Sequence, residues 1–193
     1  MIIGIDYGSK LAGTTVIAFL KKDRVTLLQS EKKKDADRLI REQLAQIKEP
    51  AIVGFDAPLS LPGVYRSVPD CINFHYRQCD RELGAMSPLF LGGLTARAMQ
   101  LKYQLESDRC SFFETYPAAQ AKRLSLEKYG YKKPDAQYKL LSGAIANELH
   151  IDKLPEFNNS HQVDALLALL GAQRIANQKA TPVGLKEEGL IYV

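Results

Sequence analysis

Two short apolar runs in this chain each close on an aspartate: Ile2-Ile3-Gly4-Ile5-Asp6 and Ala51-Ile52-Val53-Gly54-Phe55-Asp56. A carboxylate at the end of a buried strand loses hydration, and it recovers that energy by taking up a proton, finding a donor or holding a cation. Two such acids in one small domain point to a metal. A third, Asp164, lies in Ser160-His161-Gln162-Val163-Asp164-Ala165, where helical spacing puts His161 and Asp164 on one face beside the first turn. The plainer account of that pair is a helix capped by Asn159 or Ser160, with Asp164 complementing its positive end. A fourth acid, Glu114, closes Ser111-Phe112-Phe113-Glu114 just ahead of Tyr116-Pro117.

In open α/β sheets ligands bind at the ends of strands, so acids at three strand ends are better placed for chemistry than acids scattered over helices. An oxygen-rich cluster of this kind suits Mg²⁺ or Mn²⁺. Two such ions a few ångströms apart can activate water and stabilise the leaving oxygen in phosphodiester cleavage. Asp6, Asp56 and Asp164 are the expected metal ligands, with Glu114 and His161 joining them in catalysis. Imidazole is a poor match for Mg²⁺, which makes His161 a Mn²⁺ ligand or a residue that orients the attacking water.

The elements that must position these residues follow from the hydrophobic period. Residues 2–6, 14–20 and 24–29 read as strands joined by short connections, as in an antiparallel meander. Ala36, Leu39, Ile40, Leu44 and Ile47 fall at helical spacing between residues 35 and 48, and Pro50 stops that helix. The strand ending on Asp56 follows directly. Residues 57–93, rich in Pro, Gly and polar side chains, form an insertion-like segment with one short helix expected over 73–83. Beyond it the pattern predicts helices over 94–106, 118–128, 135–149 and 161–177, a strand over 110–115, and a final strand or extended tail over 187–193. Together these make an α/β mixed sheet, an antiparallel three-strand meander continued by parallel strands, flanked by helices.

With 193 residues, 46% hydrophobic and 25% charged, the chain fits one domain over residues 1–193. No stretch is apolar and long enough to cross a membrane and the N-terminus lacks the layout of a signal peptide, so a cytoplasmic protein is expected. The three irregularly spaced cysteines, Cys71, Cys79 and Cys110, suit reduced thiols and no disulfide or zinc framework.

The net charge of +4 is local: residues 94–140 hold nine Lys or Arg against five Asp or Glu, together with five of the nine tyrosines. Basic side chains interleaved with aromatic rings suit a nucleic-acid backbone and unstacked bases, DNA and RNA alike, although a solvated helical surface has the same composition. Tyr129-Gly130-Tyr131-Lys132-Lys133 is the expected contact loop, with Lys132 and Lys133 as substrate-binding candidates. In the long segment, Arg77 and Arg81 fall on one face of a helix, spaced to clamp a phosphate; a salt-bridge cluster with Asp80 accounts for them equally well.

The order and spacing of Gly4-Ile5-Asp6-Tyr7-Gly8-Ser9-Lys10, Gly54-Phe55-Asp56-Ala57-Pro58, Arg77-Gln78-Cys79-Asp80-Arg81-Glu82, Glu114-Thr115-Tyr116-Pro117-Ala118-Ala119, Val163-Asp164-Ala165 and Glu188-Gly189-Leu190-Ile191 resembles a family of unknown function whose members are predicted nucleases with a ribonuclease H-like fold. The resemblance covers nearly the whole chain, and it implies that fold and an acidic site. The start also looks like that of the RuvC-type and YqgF-type resolvases, which implies a metal-binding role for Asp6. Phe113-Glu114-Thr115-Tyr116-Pro117 followed by Lys122 is similar to the resolvase segment after the fifth strand, and His161-x-x-Asp164 to its last-helix metal pair. Resolvases place Glu where this chain has the shorter Asp56. Asp6-Tyr7-Gly8-Ser9-Lys10 also fits the first phosphate loop of the ATP-binding actin and sugar-kinase type, with Lys10 as a substrate contact. Those proteins clamp ATP between two duplicated domains, and this chain holds no second copy. The remaining alternative is a non-catalytic nucleic-acid or nucleotide-binding module that uses its acids for structure.

Overall fold

A computed structural model describes Met1–Val193 in full. The chain begins with strands β1 (Ile2–Asp6), β2 (Val16–Lys21) and β3 (Arg24–Gln29), paired antiparallel in sequence order. Lys22 and Asp23, both at positive φ, make the two-residue turn between β2 and β3 that suits the right-handed twist of a hairpin. Helix α1 (Ala36–Ala45), capped by the Asp35 carboxylate, returns the chain to β4 (Ala51–Asp56), which lies parallel to β1. Then come α2 (Gln78–Leu83), α3 (Pro88–Leu91) and α4 (Gly93–Leu105), β5 (Cys110–Thr115) and α5 (Pro117–Arg123). Helices α6 (Tyr138–Leu149) and α7 (Ser160–Ala176) precede two short strands, β6 (Pro182–Val183) and β7 (Ile191–Tyr192). The seven strands form one mixed sheet in the order β3-β2-β1-β4-β5-β7-β6. No helix is long and apolar enough to cross a membrane.

Several boundaries differ from those expected, and the clearest have local reasons. The helix expected over 73–83 starts only at Gln78, because the Asn73 side chain accepts from the amides of His75 and Tyr76 and holds that stretch in a turn. The helix expected over 118–128 stops at Arg123: Ser125 adopts a left-handed conformation, and a single 3₁₀ turn, Leu126–Tyr129, follows. The final strand or tail expected over 187–193 is the two-residue strand β7, paired parallel to β5 and antiparallel to β6, and β6 itself is too short for periodicity to signal.

The strict alternation of side chains along a strand divides the sheet into two faces. Ile3, Ile5, Val53 and Phe55 pack with Ile40 and Leu44 of α1 and Ala98 and Leu101 of α4. On the opposite face α7 lies almost directly on the sheet: a Cβ added at Gly4 would stand 2.1 Å from the backbone nitrogen of Leu169, and one at Gly54 2.4 Å from the carbonyl of Ala168. Helix α7 is apolar on nearly every side, with Val163 and Ala165 through Ala172 buried, as a helix enclosed between sheet and neighbouring helices requires. Glycine in the two central strands therefore sets how close α7 comes, and this distance positions the acids.

Candidate metal centre

Asp6 and Asp56 stand side by side at the C-terminal ends of parallel strands, in direct register. Two residues beyond Gly4 and Gly54, they share the face covered by α7. The Asn159 side chain accepts from the amide of Gln162 and fixes the start of that helix, which leaves Asp164 free of capping duty. Its carboxylate meets the two strand acids, and oxygens of Asp6, Asp56 and Asp164 lie within 4.8 Å of one another. Asp6 and Asp164 are buried and Asp56 partly so.

The three carboxylates have unequal partners. Both oxygens of Asp164 are engaged: the Tyr131 hydroxyl donates to Oδ1 at 2.5 Å, and the Lys132 ammonium lies 2.9 Å from Oδ2. Asp6 holds the Nδ1 of His161 at 2.9 Å through Oδ2. Asp56 accepts no hydrogen bond and forms no ion pair. Burial and the neighbouring charges of Asp6 and Asp164 push its carboxyl well above the usual carboxylate range. Burial raises Asp6 as well, against the lowering effect of its bond to His161. That bond raises the imidazole above its ordinary value. Burial opposes charge on Lys132, but the attraction of Asp164 outweighs it and holds the ammonium above its ordinary value.

Three carboxylates converging with one of them unpartnered form a donor set that could hold a metal ion. No family model, curated protein or solved structure matches the chain. The chemistry must accordingly be read from the residues themselves.

Glu114, expected among these acids, lies on the other face. In β5 it shares the orientation of Phe112, which packs in the α1 and α4 core, because Phe55 and not Asp56 is its register partner. Thr115 is the residue level with Asp56, and its buried hydroxyl oxygen has no hydrogen-bond partner. Glu114 instead pairs with Arg77, whose nitrogens approach its oxygens at 2.6 and 2.7 Å, and it accepts from the amide of Leu59. The phosphate-clamp reading of Arg77 is therefore corrected: its side chain is fully buried, and it spends its donors on Glu114, Asp80 and Ser60. Asp80 also accepts from the Arg77 amide at the start of α2. This network fastens the 57–93 segment to β5.

The remaining candidates separate from the acids. Lys10 pairs with Asp35 at 3.2 Å. Arg81, Lys122 and Lys133 are exposed and contact none of the three carboxylates. The expected contact loop turns inward at its centre, where Tyr131 is buried and Lys132 reaches Asp164. Sequence reasoning placed Lys132 on substrate and left Tyr131 among the surface aromatics. The signal for their inward turn was Gly130, which at φ 76° allows the sharp reversal before Tyr131.

Proposed function

We propose that this protein is a divalent-metal-dependent phosphodiesterase acting on nucleic acid, built on a ribonuclease H-like sheet. The observation that carries the reading is the unpartnered carboxylate of Asp56, held between Asp6 and Asp164 in a cluster within 4.8 Å. A protein that used these acids only for structure would have given Asp56 a donor, as it gave one to Asp37, Asp80 and Glu114. The three-strand meander continued by parallel β4 and β5 also suits the fold that the resemblance implies. An all-oxygen donor set favours Mg²⁺ or Mn²⁺.

A bound ion would supply Lewis-acid polarisation of the phosphoryl group. Asp6, Asp56 and Asp164 would hold it. His161 then takes a supporting part: its Nδ1 is held by Asp6, which orients the ring, and in its deprotonated form the ring offers the Nε2 lone pair to the proton of an attacking water. The water oxygen forms a bond to phosphorus while the bond to the departing nucleotide oxygen breaks. The water proton passes to Nε2 and the departing oxygen is protonated from solvent.

End-labelled single- and double-stranded DNA and RNA incubated with Mg²⁺, Mn²⁺ or a chelator test the reading. Cleavage is expected with either ion, none with chelator, and a loss of at least about 100-fold in Asp56→Asn. Absence of cleavage of every substrate by wild-type protein shown by calorimetry to hold Mn²⁺ would overturn it in favour of a binding module.

A further inference from the structure

Charge is distributed unevenly in the acidic cluster. Tyr131 and Lys132 together occupy both oxygens of Asp164, while both oxygens of Asp56 and the Oδ1 of Asp6 are free. Each carboxylate oxygen has two lone pairs, so Asp164 can still touch one ion, but the Lys132 ammonium sits on Oδ2 where a second ion bridged by this carboxylate would stand.

Lys132 is also held in place by its backbone. It sits at φ 59°, two residues after Gly130 at φ 76°, and its ammonium lies 5.3 Å from the centre of the Tyr131 ring. A lysine at positive φ is uncommon. The turn that imposes it aims the side chain at the acids, and the buried Tyr131 hydroxyl anchors the same turn to Asp164.

We propose that Lys132 is a resident cation of this centre, standing where a second divalent ion would bind beside Asp164, so that the protein takes up one dication, held by Asp6 and Asp56 with the remaining lone pairs of Asp164. This rests on the metal-dependent phosphodiesterase reading and fixes its stoichiometry at one ion. The charge balance favours it: three carboxylates are neutralised by one ammonium and one dication, whereas a second dication in place of the ammonium would leave the partly buried site with an excess of one positive charge. The ammonium offers up to three N–H donors and half of its side chain is exposed, so it can meet a non-bridging phosphate oxygen while keeping Asp164. It thereby supplies from the protein the second positive charge that phosphoryl transfer requires.

Mn²⁺ titration of the full chain, followed by calorimetry and by electron paramagnetic resonance, tests the assignment. The wild type is expected to bind one Mn²⁺ per chain and to give no spin-coupled Mn²⁺ pair. Lys132→Met is expected to admit a second ion with a spin-coupled signal, and to cleave the labelled oligonucleotide about 100-fold more slowly at Mn²⁺ concentrations that fill only the first site. Lys132→Arg, which keeps the charge, should remain at one ion. Two ions in the wild type overturn the assignment, as does a Lys132→Met protein that stays at one. The wild-type stoichiometry decides the matter even where Lys132→Met does not fold. Two ions with active cleavage would remove only the role of Lys132, whereas no Mn²⁺ and no cleavage would remove the phosphodiesterase reading as well.

Discussion

At neutral pH Asp56 is asked to ionise between two other carboxylates without a donor of its own, which makes it a source of instability in the metal-free protein. Its folded-state carboxyl is raised, so both folded and unfolded forms are protonated in acid and the group then contributes nothing. As pH rises, the unfolded chain releases its proton first and the native state loses stability until the raised folded value is passed. Asp56→Asn is therefore expected to melt higher than wild type at pH 8 in chelator, by about 2–4 °C per kcal/mol of relieved repulsion, with the difference shrinking toward pH 4. Added Mn²⁺ should reverse the order, because only the wild type gains binding energy. Thermal melts across that pH range check both statements, and an Asp56→Asn protein less stable than wild type at pH 8 would contradict them. Asp37 shows the opposite case. Burial raises its carboxyl, but hydrogen bonds from Arg97 at 2.6 and 2.9 Å and from Tyr7 at 2.6 Å outweigh that and hold it below the usual range.

The site depends on how elements pack as much as on which acids they carry. Helix α7 reaches β1 and β4 only because Gly4 and Gly54 carry no side chain; in both cases a methyl group would meet helix backbone, which cannot rotate away. Gly4→Ala is expected to cost about 3 kcal/mol and to weaken Mn²⁺ binding at the same time, since it moves Asp164 away from Asp6. Glu114→Gln provides the contrast. It removes half of the negative charge around the fully buried Arg77 guanidinium and should cost about 3 kcal/mol as well. Its Mn²⁺ stoichiometry should nonetheless match wild type, because Glu114 projects from the opposite face of the sheet. Urea unfolding together with Mn²⁺ calorimetry separates the two. Lost metal binding in a folded Glu114→Gln protein would return that acid to the metal centre.

Over the whole molecule, the basic surplus of residues 94–140 is partly consumed inside the fold. Arg97 pairs with Asp37, Lys102 with Glu106, Arg123 with Glu148 and Lys132 with Asp164. Arg109, Lys122, Lys128, Lys133 and Lys139 are exposed and form no ion pair, and they are the cations left for a polyanion. If Lys128, Lys133 and Lys139 each neutralise one phosphate, changing all three to Glu should flatten the plot of log affinity against log salt for single-stranded DNA by about 2. An unchanged slope removes this surface from the binding path. The aromatic half of that expectation is weaker in the folded protein: Tyr103 is 89% exposed, but Tyr131 is buried on Asp164.

Local pattern alone was enough to place the strands that end on Asp6 and Asp56, the helix bearing His161 and Asp164, and the mixed α/β sheet, because alternation, helical spacing and Pro or Gly stops are properties of short segments. Which acids share one cavity was decided only by tertiary structure. Glu114 reads in sequence like the two strand aspartates, yet a single step in its register with β4 turns it to the opposite face and into the hands of Arg77. Lys132 reads as a surface cation, yet a left-handed turn and the packing of Tyr131 bring it to Asp164 from more than thirty positions away in the chain. Register and long-range packing depend on partners that no short window contains, and in a strand with a two-residue period one step of register is enough to send a side chain to the other side of the sheet.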